Sequence, residues 1–215
     1  MKTLVIGDIQ GCYEELQDLL QQSGLSQEDR IVAVGDLVDR GPESPAVLNF
    51  FRSQINARSV MGNHEYKHIE AFENRGKTTQ HLIAARERFA DSYPDAVAFM
   101  KTLALYLELP EAIVVHAFFE PEIPLNKQKE EVLLGLPAGE GFLKEKYHWP
   151  WYEIYTGTKP LIVGHRDYSG SGIPLVYKDR VYCIDTGCCY GRKLTGVLLP
   201  DFRLFTVAAR GKAQQ

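Results

Sequence analysis

Three short apolar segments of this chain each end in a glycine that is followed at once by an aspartate or an asparagine. They read TLVIGD at 3–8, IVAVGD at 31–36 and ARSVMGN at 57–63. Two later apolar segments end in histidine, AIVVH at 112–116 and LIVGH at 161–165. Strands that alternate with helical segments predict a parallel sheet with right-handed crossovers. Because the carboxyl ends of parallel strands share one edge, the polar residues are expected to meet there.

The segments between and after these strands complete the predicted elements. A helix is predicted at about 13–22, where leucines recur at helical spacing, and Gly24 is expected to end it. A second helix is predicted from Ser44, with a proline in its first turn. The tail indicates two antiparallel hairpins, with turns at 178–180 and 200–201.

Residues from about 66 to 107 interrupt the alternation of strands and helices. Their composition is mostly helical, with breaks at Gly76 and Pro94, so we interpret them as a helical insertion. The insertion either forms one wall of the site or only covers the sheet. Residues 120–155 are rich in proline, glycine and charge, and they predict long loops with one short helix. The length favours a single domain over 1–215.

Composition excludes several classes of protein. Apolar residues make up 45% and charged residues 24% of the chain, and the net charge is −4, so no basic surface for nucleic acid or membranes is expected. No apolar run approaches the roughly 18 residues of a membrane span, and secretion is not expected. The spacing of the four cysteines fits neither a disulfide framework nor a zinc site, which predicts reduced, structural thiols and a cytoplasmic location.

The residues that follow the strands are of types that bind divalent metal ions. Buried carboxylates are costly unless they are paired or bound to metal, and Asp8 and Asp36 each follow an apolar strand and a glycine. One amide and two imidazoles join them in the predicted set. Neutral imidazoles suit Mn²⁺, Fe or Zn²⁺ better than Mg²⁺. The pattern therefore predicts a pair of divalent ions, with Mn²⁺ favoured.

The order GDIQG, GDLVDRG, GNHE, strand-end histidine and VGH resembles that of the calcineurin-like metallophosphoesterases, which include protein serine/threonine phosphatases. GDIQGCYEEL and DTGCCYGRKLT are similar to symmetrical diadenosine tetraphosphatases. GNHEYK, YHWPWYEIYTG and IDTGC are similar to the phosphatase module of bacterial polynucleotide kinase-phosphatases. The likeness runs from Leu4 to about Leu199 and is thinner between Tyr66 and Ala112. It implies an α/β sandwich of two mixed β-sheets flanked by helices.

The resemblance also implies a role for each matched residue. The first metal ion is assigned to Asp8 and Gln10, with Asp36 bridging both ions. Three further ligands complete the coordination of the second ion: Asn63, His116 and His165. His64 is the implied general acid, and Asp39 orients it. Arg40 is the implied ligand of a phosphate oxygen, and Arg166 is a candidate for a second such contact.

The resemblance implies hydrolysis of a phosphoric monoester or a nucleoside polyphosphate, by attack of a hydroxide held between the two metal ions. The expected substrate is a small phosphorylated molecule, a nucleotide or a phosphoprotein. One alternative is a protein serine/threonine phosphatase in signalling. The other is a metal-binding scaffold without catalysis, because Gln10 and Phe118 stand where the family usually has histidine and glycine.

Three other histidines are not part of this predicted site. His68 and His81 are expected to be solvated. His148 lies in a run of aromatic residues, which forms either a small local core or a platform for a nucleobase.

Overall fold

The computed structural model describes residues 1–147 and 150–211, so His148 and the neighbouring Trp149 lie outside the described residues. Its strands are β1 (Thr3–Ile6), β2 (Arg30–Ala33), β3 (Ala57–Ser59), β4 (Tyr106–Glu108), β5 (Ile113–Val115), β6 (Leu161–Val163), β7 (Leu175–Tyr177), β8 (Val181–Cys183), β9 (Lys193–Leu199) and β10 (Arg203–Ala208). Its helices are α1 (Tyr13–Ser23), α2 (Ser44–Ser53), α3 (Asn63–Phe72), α4 (Gln80–Phe89), α5 (Tyr93–Met100), α6 (Glu130–Leu133) and α7 (Pro137–Lys146). Short 3₁₀ turns occupy Ala90–Ser92, Leu125–Lys127, Trp151–Glu153 and Cys188–Tyr190.

The strands form two five-stranded sheets with similar plans. The first sheet has the order β10-β9-β1-β2-β3, and the second has the order β4-β5-β6-β8-β7. In the first sheet β1, β2 and β3 are parallel, while β9 and β10 are antiparallel to their neighbours. In the second sheet β5, β6 and β8 are parallel, and the edge strands β4 and β7 are antiparallel. This arrangement confirms the predicted sandwich of two mixed sheets.

Alternation of side chains along the strands builds the layers of the sandwich. In β1, Leu4 and Ile6 pack with the apolar face of α1, whereas Val5 packs with apolar residues of the second sheet. In β5, Val115 points away from the first sheet and packs with Trp151. Successive side chains of a strand point to opposite faces of its sheet, so both faces are buried. The second sheet is thereby fixed against the first.

Several elements differ from the sequence-based expectation. Helix α3 begins at Asn63, directly in the GNHE motif. Tyr106–Glu108, at the end of the proposed insertion, forms strand β4 beside β5. Pro137–Lys146 is a ten-residue helix in a region expected to be mainly loops. Among the residues that the structure describes, no helix has the length and apolar character needed to span a lipid bilayer.

Candidate active site

The predicted ligands follow strands of both sheets, and the structure brings them together where the carboxyl ends of those strands meet. Asp8 and Asp36 follow β1 and β2, and Asn63 opens the helix after β3. His116 follows β5 and His165 follows β6. The expectation of a single sheet edge was therefore wrong, because the two histidines come from the second sheet. The sandwich joins two edges into one site.

Asp36 lies at the centre of the cluster and is 2% exposed. Its Oδ1 accepts a hydrogen bond from the backbone N–H of His64 at 3.0 Å, in the first turn of α3. The Nε2 atom of His116 lies 3.5 Å from the same oxygen. Burial raises the pKa of Asp36, but His116 and His64 outweigh it and hold that pKa below its usual range. The His64 backbone N–H and the Gln10 amide both donate to this carboxylate, which favours its ionised form.

The Nε2 atom of His116 is unprotonated and faces the side-chain oxygens of Asn63 and Asp36. Its Nδ1 lies 2.9 Å from the carbonyl of Val34, which only accepts, so the proton is on Nδ1. Burial lowers the pKa of His116, so the ring is neutral and Nε2 carries a lone pair. That Nε2 lies 3.0 Å from Oδ1 of Asn63, and Nδ1 of His165 lies 3.2 Å from the same oxygen. The lone pairs of His116 Nε2 and Asn63 Oδ1 thus face each other, an arrangement that a cation bound between them would stabilise.

Asp8 provides a second indication of a metal site. Its Oδ1 accepts from the backbone N–H of His165 at 2.9 Å, but its Oδ2 is buried with no hydrogen-bond partner. Burial raises the pKa of Asp8 well above its usual value, and the nearby Asp185 and Asp36 add to this. Ligand atoms of Asp8, Asp36 and His116 lie within 4.8 Å of one another. The orphaned oxygen and this spacing fit divalent metal ions.

Two glycines allow the carboxylates to approach the backbone closely. A Cβ atom at Gly62 would lie 2.2 Å from Oδ1 of Asp36. A Cβ atom at Gly164 would lie 2.0 Å from Oδ1 of Asp8. Both distances are far inside van der Waals contact, so any larger residue would displace the carboxylate. This is the physical reason for glycine before Asn63 and before His165.

The loops of the site carry strained backbone. Five of its side chains stand on residues with a left-handed φ, which side-chain-bearing residues adopt at a cost of about 1 kcal/mol or more each. These residues are Gln10 (φ 46°), Asp36 (φ 50°), Asp39 (φ 75°), Arg40 (φ 55°) and His165 (φ 70°). The left-handed conformation turns each loop sharply after its strand. It thereby directs the side chains toward the shared edge.

Gln10 lies beside Asp36, with its amide nitrogen toward the carboxylate. Its Nε2 donates to Oδ2 of Asp36 at 3.2 Å. Its Oε1 accepts from the thiol of Cys189 at 2.6 Å. Cys189 belongs to the DTGCC segment, and all four cysteines of the chain are buried and form no disulfide. In this orientation the better metal ligand of the amide, its oxygen, is engaged by a thiol.

His64 and Asp39 form the pair expected for proton transfer, and the structure adds two partners. Nδ1 of His64 lies 2.5 Å from Oδ2 of Asp39. Nε2 of His68 lies 2.8 Å from Oδ1 of Asp39, and Nδ1 of His68 lies 3.0 Å from the hydroxyl of Tyr93. His68 is fully buried, so its predicted solvation was wrong. The helical period that places His68 one turn after His64 was the signal available in the sequence.

Arg40 and Arg166 occupy different surroundings. The guanidinium of Arg40 lies over the ring of Tyr190, 5.4 Å from its centroid, and Tyr190 is 53% exposed. Burial raises the pKa of Tyr190, Arg40 opposes this, and the carboxylates of Asp185 and Asp36 add to it. Arg166 instead contacts Glu140 of α7, with both terminal nitrogens 3.1 Å from Oε1. Arg40 thus carries its charge beside an exposed aromatic ring, whereas Arg166 is paired with a carboxylate.

Phe118 is fully buried behind the ring of His165. Its ring meets that of His165 edge to face, with centroids 5.3 Å apart, and it also packs against Trp151. The side chain therefore supports the His165 ring from the core. Because the ring is buried, it offers no stacking surface for a base.

Two further carboxylates of the site were missed from the sequence. Glu65 is fully buried, and its two oxygens accept from the backbone N–H groups of Asp36, Leu37, Val38 and Gly62. Asp185 follows β8, which is parallel to β6 and so ends at the same edge. Burial raises the pKa of Asp185 to about 6, and Asp36 adds to it. The run VYCID, an apolar strand ending in aspartate, was the available signal.

Several known proteins are similar to this chain in sequence. A family model described as calcineurin-like phosphoesterase matches residues 1–116. A symmetrical bis(5'-nucleosyl)-tetraphosphatase from Shewanella sp. (strain W3-18-1) is 37% identical, covering 88% of this chain and 92% of the relative. The asymmetrical bis(5'-nucleosyl)-tetraphosphatase PrpE of Oceanobacillus iheyensis is 30% identical, covering 98% of this chain and 93% of the relative.

Solved structures show the same sandwich. A crystal structure described as that of a candidate diadenosine tetraphosphatase has a TM-score of 0.82 at 25% identity and covers 98% of this chain and 95% of that one. A protein serine/threonine phosphatase from Saccharomyces cerevisiae has a TM-score of 0.64 at 16% identity, covering 100% of this chain and 81% of that one. The second likeness shows a shared fold alone.

Proposed function

Because the chain belongs to the calcineurin-like phosphoesterase family, and is thus a metal-dependent hydrolase of phosphoric esters, we propose that its substrate is a nucleoside polyphosphate. The observation that carries this proposal is Arg40 over the exposed ring of Tyr190, beside the carboxylate cluster. A guanidinium can hold a phosphate oxygen while an aromatic face stacks on a base. The two tetraphosphatase relatives support the same substrate class.

Asp8, Asp36, Asn63, His116 and His165 would hold two divalent cations, for which we propose Mn²⁺. When bound, such ions supply positive charge to the phosphoryl oxygens and activate water near neutral pH. The protein fixes the ligands beforehand, because Val34 sets the proton of His116 and the His165 backbone orients Asp8. Burial also keeps the imidazoles of His116 and His165 neutral, and a neutral imidazole can bind a metal ion through its unprotonated nitrogen.

Arg40 and His64 supply the remaining chemistry. The guanidinium of Arg40 would bind the transferring phosphoryl group and offset its negative charge. The Nδ1 proton of His64 is held by Asp39, so its Nε2 is the atom that can deliver a proton to the departing oxygen. This Nε2 lies 3.8 Å from Oδ2 of Asp36, beside the position where phosphate would bind.

We place the enzyme in the cytoplasm, consistent with its free, buried cysteines. We also propose that the chain is a single domain in which residues 66–107 form an insertion beside the site. Helix α3 overlaps this segment and carries His68, which contacts the Asp39 carboxylate directly. Helix α5 lies within the segment and carries Tyr93, which reaches Asp39 through its hydrogen bond with His68. The segment would therefore act on the site and not only cover the sheet.

The test is a substrate panel with Mn²⁺-reconstituted protein. It contains diadenosine tetraphosphate, ATP, para-nitrophenyl phosphate, its bis-ester and phosphoserine peptides. We expect the highest kcat/KM for the dinucleotide. Two diphosphate products would indicate symmetrical cleavage, and a triphosphate with a monophosphate would indicate asymmetrical cleavage. Preference for phosphopeptides would favour the protein phosphatase, and metal binding without turnover of any substrate would favour the scaffold.

Tyr190→Ala is expected to weaken use of base-containing substrates. Stacking on one base is worth about 1–3 kcal/mol, so KM for diadenosine tetraphosphate should rise about tenfold. Inorganic tripolyphosphate has no base, and its KM should not change. Tyr190→Phe keeps the aromatic face and should behave as the wild type. An equal rise in KM for tripolyphosphate would show that the ring acts only through Arg40.

Gln10→His is expected to tighten the first metal position. An imidazole attracts Mn²⁺ more strongly than an amide, and the Gln10 amide oxygen is engaged by Cys189. Calorimetric titration of metal-stripped wild type should therefore show two unequal sites, and the variant should bind the weaker ion about tenfold more tightly. The exposed Gln54→His serves as a control for a surface imidazole. Two equally tight wild-type sites, unchanged by Gln10→His, would contradict this.

A further inference from the structure

We propose that His68 is a positioning residue for proton transfer, and that Tyr93, His68 and Asp39 together fix the ring of His64. The inference rests on the role of His64 proposed above. It concerns His68 and Tyr93, which belong neither to the implied metal ligands nor to the implied acid pair of His64 and Asp39. It also gives the segment around 66–107 a defined task in the reaction.

The geometry is a single chain of hydrogen bonds through the interior. It runs from the Tyr93 hydroxyl to His68 Nδ1 (3.0 Å), from His68 Nε2 to Asp39 Oδ1 (2.8 Å), and from Asp39 Oδ2 to His64 Nδ1 (2.5 Å). The four residues are each 5% exposed or less. Hydrogen bonds without competing water are stronger and hold their geometry better.

The directions of these hydrogen bonds follow from the charge of Asp39. Burial raises the pKa of Asp39, but its hydrogen bonds with His64 and His68 outweigh this and hold the pKa below its usual range. An ionised carboxylate only accepts, so both imidazoles must donate to it. His68 therefore carries its proton on Nε2 when neutral, and its Nδ1 accepts from the Tyr93 hydroxyl. The Tyr93 hydroxyl thus supports, from the other side of the ring, the tautomer of His68 that Asp39 requires.

The support is needed because Asp39 stands on a strained loop. Its backbone has a φ of 75°, and its N–H donates to Oγ of Ser44. With only His64 as side-chain partner, the carboxylate could rotate about its own bond and carry the His64 ring with it. A second donor on the other oxygen removes this freedom. His64 and His68 stand one turn apart on α3, so the helix itself sets the distance between the two donors.

The test measures how strongly turnover depends on the leaving group. Phenyl phosphate releases a phenolate that needs protonation more than the para-nitrophenolate released by para-nitrophenyl phosphate. The ratio of kcat for these two substrates is measured for wild type, His64→Asn, His68→Phe, His68→Gln and Tyr93→Phe. His81→Phe is the matched control, because His81 is an exposed histidine in α4. Bound metal and thermal unfolding are measured for every variant.

His68→Phe keeps the ring but removes both nitrogens, and we expect it to lower kcat for phenyl phosphate about tenfold more than for para-nitrophenyl phosphate. KM and metal content should remain unchanged. Glutamine can place an N–H near the position of Nε2, so His68→Gln should recover most of the loss. Tyr93→Phe should show a smaller shift of about two- to threefold, because the Nδ1 atom of His68 loses its hydrogen-bond partner and the ring is held less firmly. His81→Phe should match wild type.

An independent readout uses metal-free protein and ¹⁵N-labelled histidine. Wild type should show His68 protonated on Nε2 and a strongly downfield Nδ1 proton of His64. That proton should move upfield in His68→Phe and, to a smaller extent, in Tyr93→Phe, where His68 keeps its Nε2 proton. If His68→Phe does not fold, Tyr93→Phe and His68→Gln decide the question.

The outcomes separate the inference from the function on which it rests. An equal loss for both substrates in His68→Phe, or an unchanged ratio with an unchanged His64 proton, would overturn the positioning role. If His64→Asn itself shows no dependence on the leaving group, the proposed role of His64 fails first. A ratio that changes in His64→Asn but in none of the folded His68 and Tyr93 variants would reject only the inference.

Discussion

Replacing Asp36 with asparagine is expected to remove bound metal and activity together. The carboxylate lies between Nε2 of His116 and the amide of Gln10. Neutralising it would remove the charge that the two proposed cation positions would share. Loss of an outer partner of a metal ligand costs about 10–100-fold in affinity or activity, and loss of a bridging ligand should exceed this, with turnover falling roughly 10³-fold. Elemental analysis after dialysis and a phosphatase assay measure the two effects.

Asp29→Asn is the matched control for this prediction. Asp29 is also a buried carboxylate, 7% exposed, but it lies before β2, whereas Asp36 follows that strand. It contacts the backbone of Lys2 and Ser26, far along the strand from the ligands. Its replacement should lower stability and leave the metal content unchanged. An Asp36→Asn protein that kept two metal ions and normal turnover would refute the bridging role.

Glu65→Ala is expected to lower the free energy of unfolding more than any other single truncation in the site. The Glu65 carboxylate accepts from four backbone N–H groups at 2.8–3.2 Å, and its removal leaves these donors buried without partners. An unsatisfied buried donor costs about 1–3 kcal/mol, so the loss should be roughly 4 kcal/mol or more. Urea unfolding of metal-free protein measures it without a contribution from bound cations.

Glu70→Ala provides the comparison on the same helix. Glu70 forms a partly exposed ion pair with Arg75, and such pairs contribute about 0–1 kcal/mol. If Glu65→Ala destabilised the protein no more than Glu70→Ala, the backbone of the GDLVDRG loop would have to find other acceptors. The loop would then be less dependent on the third motif than the hydrogen bonds indicate.

The parts of the fold that could be predicted are those with a short-range signal. Apolar strands, helical leucine spacing and turn residues identified β1, α1 and the final hairpins, because each depends on local periodicity. Strand β4 was missed because three residues carry too little periodicity, and its pairing with β5 supplies most of its stability. Helix α7 was obscured by Gly139 and Gly141, whose low helix propensity is overcome by packing against α6.

The site was predictable where a motif followed a strand, and unpredictable where partners come together only in the fold. The strand-end positions of Asp8 and His116 are visible in the sequence, because strand and ligand are adjacent. The burial of His68 depends on Asp39 and Tyr93, which are distant in sequence from each other. Likewise, the position of Asp185 depends on β8 running parallel to β6, and hairpin patterns alone do not specify that neighbour.

The left-handed backbone at Gln10, Asp36, Asp39, Arg40 and His165 has an evolutionary consequence. Glycine relieves such strain by roughly 1 kcal/mol per position, which is a sizeable share of the about 5–15 kcal/mol that holds a domain folded. In a lineage where hydrolysis is no longer under selection, folding alone would favour glycine at these positions. Glycine at several of them would therefore mark a relative that has lost its activity. We therefore expect side chains at all five positions in relatives in which hydrolysis is under selection.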